Sequence, residues 1–201
     1  MKGYGNLRTK EKIILGYGNI ANYITLFGLL LSLSSCFFAL GANIKLSVSF
    51  FIASGICDLF DGVVARKIKR TDSEKEYGIQ LDTVVDVVSF GVAPVIIMFS
   101  IVGAAWYALL IYAFYIVCAV SRLAYFNTSA VPNTPMSYYR GLPVTYIALI
   151  LPIVLLFHSV IARIITLAVV GMLFVLNIKV PKPHGVWYIL FPVIAIALGN
   201  L

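Results

Sequence analysis

Apolar residues run along this chain in blocks long enough to cross a bilayer, separated by short polar segments in which the charges collect. A membrane-spanning helix needs about 20 mostly apolar residues to traverse a hydrocarbon layer of roughly 30 Å. Blocks of that kind cover residues 22–42, 46–64, 80–102, 104–125, 142–157 and 160–176. A shorter block, 186–200, reads either as a seventh span or as a helix lying in the membrane surface. The pattern predicts an all-α fold: a polytopic membrane helix bundle with six core transmembrane helices and a short C-terminal hydrophobic segment. Only the acidic end of the second block and a polar face on the third depart from plain apolar sequence.

Composition agrees with a lipid solvent. Hydrophobic residues make up 61% of the chain and charged residues 11%, against about 45–50% and 25% in soluble domains. Basic residues set the orientation, because loops rich in Lys and Arg stay in the cytoplasm. With the N-terminus inside, every Lys and Arg except Lys45 and Arg163 falls on the cytoplasmic side. The net charge of +7 suits contact with anionic headgroups. Nucleic-acid binding is excluded as a function class, since no exposed basic domain fits in the chain. The N-terminus lacks a small-residue cleavage site and is not read as a signal peptide; residues 4–17 are expected to lie at the interface. Cys36, Cys57 and Cys118 fall inside predicted spans at spacings unlike a zinc site and read as packing residues. His158 and His184 stand alone by predicted loops and are given no catalytic role.

The chemistry lies in the acids. Of eight acidic residues, Asp58, Asp61, Asp82 and Asp86 sit in spans or at their ends, where each ionisable group costs about 2.5–3.5 kcal/mol on insertion scales. Asp58, Asp61 and Ala65 are spaced three and four apart, and Gly78, Asp82 and Asp86 four and four, so each set shares a helix face. A loop of about a dozen residues between them lets the two helices run antiparallel with the acidic faces opposed. Four converging carboxylates need a counter-charge, and Mg²⁺ or Mn²⁺ suits an all-oxygen donor set. Membrane carboxylates also build proton relays and cation pathways. Four at helical register with interleaved glycines and a terminal arginine favour a ligand site instead. Gly62 and Ala65 leave space beside the acids, Gly78 permits close backbone approach, and Arg66 offers a guanidinium to phosphate oxygens. Together these residues describe a nucleotide diphosphate site facing the cytoplasm.

Asp58-x2-Asp61-Gly62-x2-Ala65-Arg66 followed by Gly78-x3-Asp82-x3-Asp86 resembles the signature of the CDP-alcohol phosphotransferases at every fixed position. Its spacer of eleven residues after Arg66 is longer than the eight or nine usual in that family, the extra residues falling in Thr71-Asp72-Ser73-Glu74-Lys75-Glu76. Asn22-x2-Thr25 resembles a further family feature near the first span. Within the family the chain is most similar to the small integral-membrane phosphatidylserine synthases. The resemblance there lies in Ser89-Phe90-Gly91-Val92-Ala93-Pro94, Arg122-Leu123-Ala124-Tyr125-Phe126-Asn127 and Arg140-Gly141-Leu142-Pro143.

The resemblance implies a CDP-activated lipid donor, L-serine as acceptor and CMP as leaving group. Asp58, Asp61 and Asp82 are assigned to metal, with Asp86 placed to touch a second ion, and the family pattern makes Asp86 the general base. Two divalent cations are expected as cofactors. Asn22, Gly62, Ala65, Arg66 and Gly78 are expected around the nucleotide and diphosphate. Arg122, Arg140 and, more weakly, Asn127 are candidates for the acceptor carboxylate, the arginines serving equally well as anchors to lipid headgroups. Transfer of the same donor group to inositol phosphate or glycerol phosphate is the alternative, and a divalent-cation transporter the different-class one. A homodimer is expected from the resemblance. Residues 1–21 are read as an interfacial segment, 22–180 as a transmembrane catalytic core and 181–201 as the C-terminal hydrophobic segment.

Overall fold

A computed structural model describes residues 16–129, 138–157 and 159–181. The interfacial segment, apart from its last residues, the short C-terminal hydrophobic segment beyond Pro181, and His158 and His184 all lie outside the described residues.

Four helical stretches are long and apolar enough to cross a membrane: Ile20–Leu40, Ile44–Lys67, Asp72–Val102 and Trp106–Thr128. Two shorter apolar helices, Val144–Leu155 and Val160–Val175, complete the described bundle. The chain is thus a membrane helix bundle, as its apolar blocks predict. Large side chains such as Leu30, Phe37, Leu110, Val117 and Ile161 point outward and are exposed. The inward face of the first helix instead carries small residues such as Ala21, Gly28, Ser32, Ser35 and Ala39, as membrane helices do when they pack closely. Ser35 and Ser47 place their hydroxyls 3.2 Å apart between the first two helices.

Helix α1 (Ile20–Leu40) begins at Asn19, whose side chain accepts from the Asn22 amide. It ends in a tight turn where Ala42 has a positive φ of 61°, and Asn43 then caps α2 (Ile44–Lys67). A connection this short makes α1 and α2 antiparallel neighbours. Helix α3 (Asp72–Asp86) corrects the sequence reading. The charged residues after Arg66, expected in a loop of about a dozen residues, are the first turn of a helix. Thr71 and Glu74 form a capping box: the Glu74 amide donates to Thr71 Oγ1 at 3.3 Å, and the Thr71 amide to Glu74 Oε2 at 2.8 Å. That pairing satisfies two end-of-helix donors, so the helix starts eight residues before the predicted span.

Beyond Asp86 the helix widens into a π segment, Val87–Val92, before α4 (Ala93–Val102). Pro94 has no amide hydrogen to give the Phe90 carbonyl four residues back. The buried Tyr115 hydroxyl donates to that carbonyl instead, at 2.8 Å. Tyr115 belongs to α5 (Trp106–Ser129) and sits in a core with Phe51, Phe90, Ile97, Leu151 and Phe174.

After α5 the described chain resumes as β1 (Tyr138–Arg140), which pairs antiparallel with β2 (Lys179–Pro181), Tyr139 opposite Val180. The predicted fifth span therefore starts late: Leu142 donates its amide to Leu173 O, Pro143 is extended, and a 3-10 turn at Val144–Tyr146 leads into α6 (Ile147–Leu155). Helix α7 (Val160–Val175) is capped by Ser159 and returns the chain to β2.

Candidate active site

Two helices carry the acids. Asp58 and Asp61 lie on one face of α2 near its C-terminal end, Asp82 and Asp86 on one face of α3. The fold brings carboxylate oxygens of Asp58, Asp82 and Asp86 within 4.8 Å of one another. Asp58 and Asp86 are in hydrogen-bonding contact through their side chains. Asp61 stands slightly apart from that trio. It is 6% exposed, its Oδ2 accepts from Thr25 Oγ1 at 2.5 Å, and it lines the same cleft as Asp58, Gly28, Ser54 and Ser89.

Threonines hold both α2 aspartates. Thr145, in the 3-10 turn before α6, donates to Asp58 Oδ2 at 2.9 Å. Neither threonine was assigned a role from sequence, although Thr25 belongs to the Asn22-x2-Thr25 feature. Thr145 lies 87 positions from its partner, a separation that no local pattern registers.

Positive charge faces this cluster from α5. Arg122 is 7% exposed, lies within electrostatic reach of Asp86 and Asp58, and sits 5.0 Å over the Phe126 ring. Its Nε has no hydrogen-bond partner among the described residues. Arg122 and Arg140 both line a cavity of about 400 Å³ whose walls include Ser121, Tyr125, Phe174 and Asn177. Arg140 is exposed and donates through Nη1 to the Tyr125 hydroxyl at 3.3 Å; that bond, with help from Tyr138, raises the guanidinium pKa above its ordinary value. Asn127 turns the other way, donating to Thr83 Oγ1 at 2.8 Å. It ties α5 to the aspartate-bearing helix.

The small-residue frame is resolved unevenly. A Cβ at Gly62 would meet only Arg66 Nη1, at 3.7 Å, so open space remains beside the acids there. Ala65 is half-buried one turn further along α2, and Arg66 is exposed at its end. A Cβ at Gly78 would lie 3.1 Å from Arg70 Nη1 and 3.3 Å from Asn22 Oδ1. Gly78 thus makes room for two side chains of the protein itself, and Arg70 joins the mouth of the site unannounced by the spacing pattern. Asn22 is buried at 4% exposure, and its Nδ2 donates to the Tyr17 carbonyl at 2.7 Å.

Three carboxylates this close repel unless a proton or a cation lies between them. One guanidinium at the edge does not neutralise them. A divalent ion with metal–oxygen distances of about 2.1 Å spans about 4 Å between opposed ligands, close to the observed spread. The donor set is all hard oxygen and fits such an ion.

The sequence pattern of the CDP-alcohol phosphatidyltransferase family matches residues 18–178, which takes in every residue of the site except Tyr17. Among curated relatives, the CDP-diacylglycerol–serine O-phosphatidyltransferase of Methanocaldococcus jannaschii is 31% identical over 176 residues, 87% of this chain and 80% of its own. The proteins of the same name from Saccharomyces cerevisiae and Helicobacter pylori are 40% identical over 110 residues and 31% identical over 140. Those alignments take in 51% and 69% of this chain. They span only 39% of the yeast protein and 57% of the Helicobacter one.

Proposed function

This chain belongs to the CDP-alcohol phosphatidyltransferase family, and on that premise we propose that it transfers a phosphatidyl group, or its ether-lipid equivalent, from a CDP-lipid to L-serine. The observation that carries this reading is the meeting of Asp58, Asp82 and Asp86 within 4.8 Å, with the buried Arg122 on the Asp86 side. That arrangement sets a metal-ready acidic site beside a guanidinium suited to a carboxylate.

In the proposed reaction Asp86 accepts the proton of the serine hydroxyl. The serine oxygen forms a bond to the lipid-side phosphorus, and the phosphorus–oxygen bond to CMP breaks, with CMP taking the electron pair. Asp58, Asp61, Asp82 and Asp86 would hold two Mg²⁺ or Mn²⁺ ions, which when bound supply the charge neutralisation that phosphoryl transfer needs. Arg122 binds the serine carboxylate from the cavity side, with Arg140 at its rim. Arg66 and the space beside Gly62 and Ala65 receive the donor's diphosphate, while Asn22 and Gly78 shape the mouth. Burial of Asp86, at 8% exposure, keeps bulk water from competing with the acceptor.

The distribution of basic residues supports a cytoplasmic N-terminus and site, and the family resemblance supports a homodimer. Lys67 ends α2, and Lys69 and Arg70 lie between it and α3. They keep a phosphorylated acceptor, inositol phosphate or glycerol phosphate, as the second reading. The test is release of CMP from CDP-diacylglycerol by the purified chain with Mg²⁺ or Mn²⁺, with each of the three acceptors in parallel. Metal-dependent release with serine alone is the expected result. Release with a phosphorylated acceptor instead would move the assignment there, and no release with any acceptor would remove it.

A further inference from the structure

Most threonines in these helices spend their hydroxyl on their own backbone. Thr83 donates to Ile79 O, Thr128 to Ala124 O and Thr166 to Ala162 O, each four residues back. This local bond is the usual fate of a helical threonine. Thr145 differs. It lies in the 3-10 turn, and the residue four before it, Gly141, is outside any helix with φ of +73°. No helical carbonyl is in place, and the hydroxyl reaches across to Asp58 Oδ2 instead.

What lets it reach is the approach of α6 to α2. A Cβ on Gly55 would sit 2.6 Å from the Ala148 Cβ, so the two backbones meet where neither side chain is larger than a methyl. Asp58 is three residues after Gly55, and Thr145 three before Ala148. In an antiparallel pair these offsets set the second couple one turn from the first. The Gly55–Ala148 contact thus sets the spacing at which Thr145 bonds Asp58.

We infer that Thr145 is a positioning residue for the acidic cluster: its hydroxyl fixes the Asp58 carboxylate so that the other oxygen faces Asp82 and Asp86, ready for a divalent cation. Hydrogen bonds to ligating carboxylates orient them, and their loss typically costs 10- to 100-fold in metal affinity. Asp58 is only half-buried, so without Thr145 its carboxylate has room to rotate away from Asp82 and Asp86. This inference rests on the metal-site reading above.

The test is direct titration of the purified full chain in detergent with Mn²⁺, followed by electron paramagnetic resonance, together with thermal melts in the absence of metal. Thr145→Val keeps the shape and removes the hydroxyl; it should weaken Mn²⁺ binding by about 10-fold or more with little change in melting. Thr145→Ser retains the hydroxyl and should bind within about 3-fold of the wild type. Gly55→Ala pushes α6 away and should weaken binding as Thr145→Val does. Equal Mn²⁺ affinity for the wild type and Thr145→Val overturns the inference and leaves the metal site standing. Equal weakening by Thr145→Ser and Thr145→Val overturns it as well, since packing would then be the cause. Absence of saturable binding by the wild type removes the metal reading and this inference with it.

Discussion

The Thr25 hydroxyl on α1 donates to Asp61 Oδ2 on α2 across 2.5 Å, in a spot where both side chains are buried. The same hydroxyl lies 3.1 Å from the Ala21 carbonyl, so its single proton is shared between its own helix and the aspartate. A buried acceptor left without its donor costs about 1–3 kcal/mol. Thr25→Val is therefore expected to lower the melting temperature modestly and to cut turnover by about 10- to 100-fold as Asp61 reorients. Thr25→Ser should recover most of the turnover. Wild-type turnover in Thr25→Val, measured as CMP release, would show that this bond is structural only.

Arg122 and Arg140 share a cavity but differ in burial, and their substitutions should differ with it. Arg122 is almost fully buried against the acids, where a charge-assisted hydrogen bond contributes about 1.5–3 kcal/mol. Arg122→Ala should raise the serine KM by roughly 10-fold or more. Arg140 is exposed, where a charge pair is worth at most about 1 kcal/mol, so Arg140→Ala should change the serine KM by no more than about 5-fold. An unchanged serine KM in both variants would take the acceptor carboxylate away from this cavity.

The two signature glycines should separate folding from donor binding. At Gly62 an added methyl meets only the end of Arg66, so Gly62→Ala should melt like the wild type. A rise in the KM for the CDP-lipid would then report ligand in that space. At Gly78 the methyl would press on Arg70 and Asn22, and Gly78→Ala should lower the melting temperature as well as donor affinity. Equal behaviour of the two variants in melts and kinetics would refute the distinction.

Asp86→Asn removes the base while keeping the shape of the side chain. It is expected to abolish transfer and to leave binding of the CDP-lipid measurable by titration. Near-normal CMP release by Asp86→Asn would give the base to another residue. Chelation with EDTA should stop turnover in the wild type, and Mg²⁺ or Mn²⁺ should restore it. Full activity through chelation would remove the metals from the mechanism.

Much of the site is legible in one dimension because helical periodicity is local. Asp58 with Asp61, and Asp82 with Asp86, share faces by spacing alone, and α2 and α3 do present them to each other. The capping box at Thr71 and Glu74 was equally local, a Thr-x-x-Glu pattern, yet the run of charges around it reads as a loop. Arg122, Arg140 and Asn127 read alike in the sequence, as candidates for one acceptor pocket. Packing separates them into a buried charge beside Asp86, an exposed rim residue and a tie to Thr83.

The sequence by itself determined that this chain lives in lipid and that four aspartates lie on two helix faces. Hydropathy and the 3.6-residue period act over a few turns and need no partner. Only the tertiary structure decided which oxygens meet and what holds them. The bonds from Thr25 and Thr145, the placing of Arg122 near Asp86 and Asp58, and the rescue of the Phe90 carbonyl by Tyr115 all join residues far apart in the chain. Each depends on how closely two helices approach. That distance is set by small residues such as Gly55 and Ala148, whose meaning appears only once they face each other.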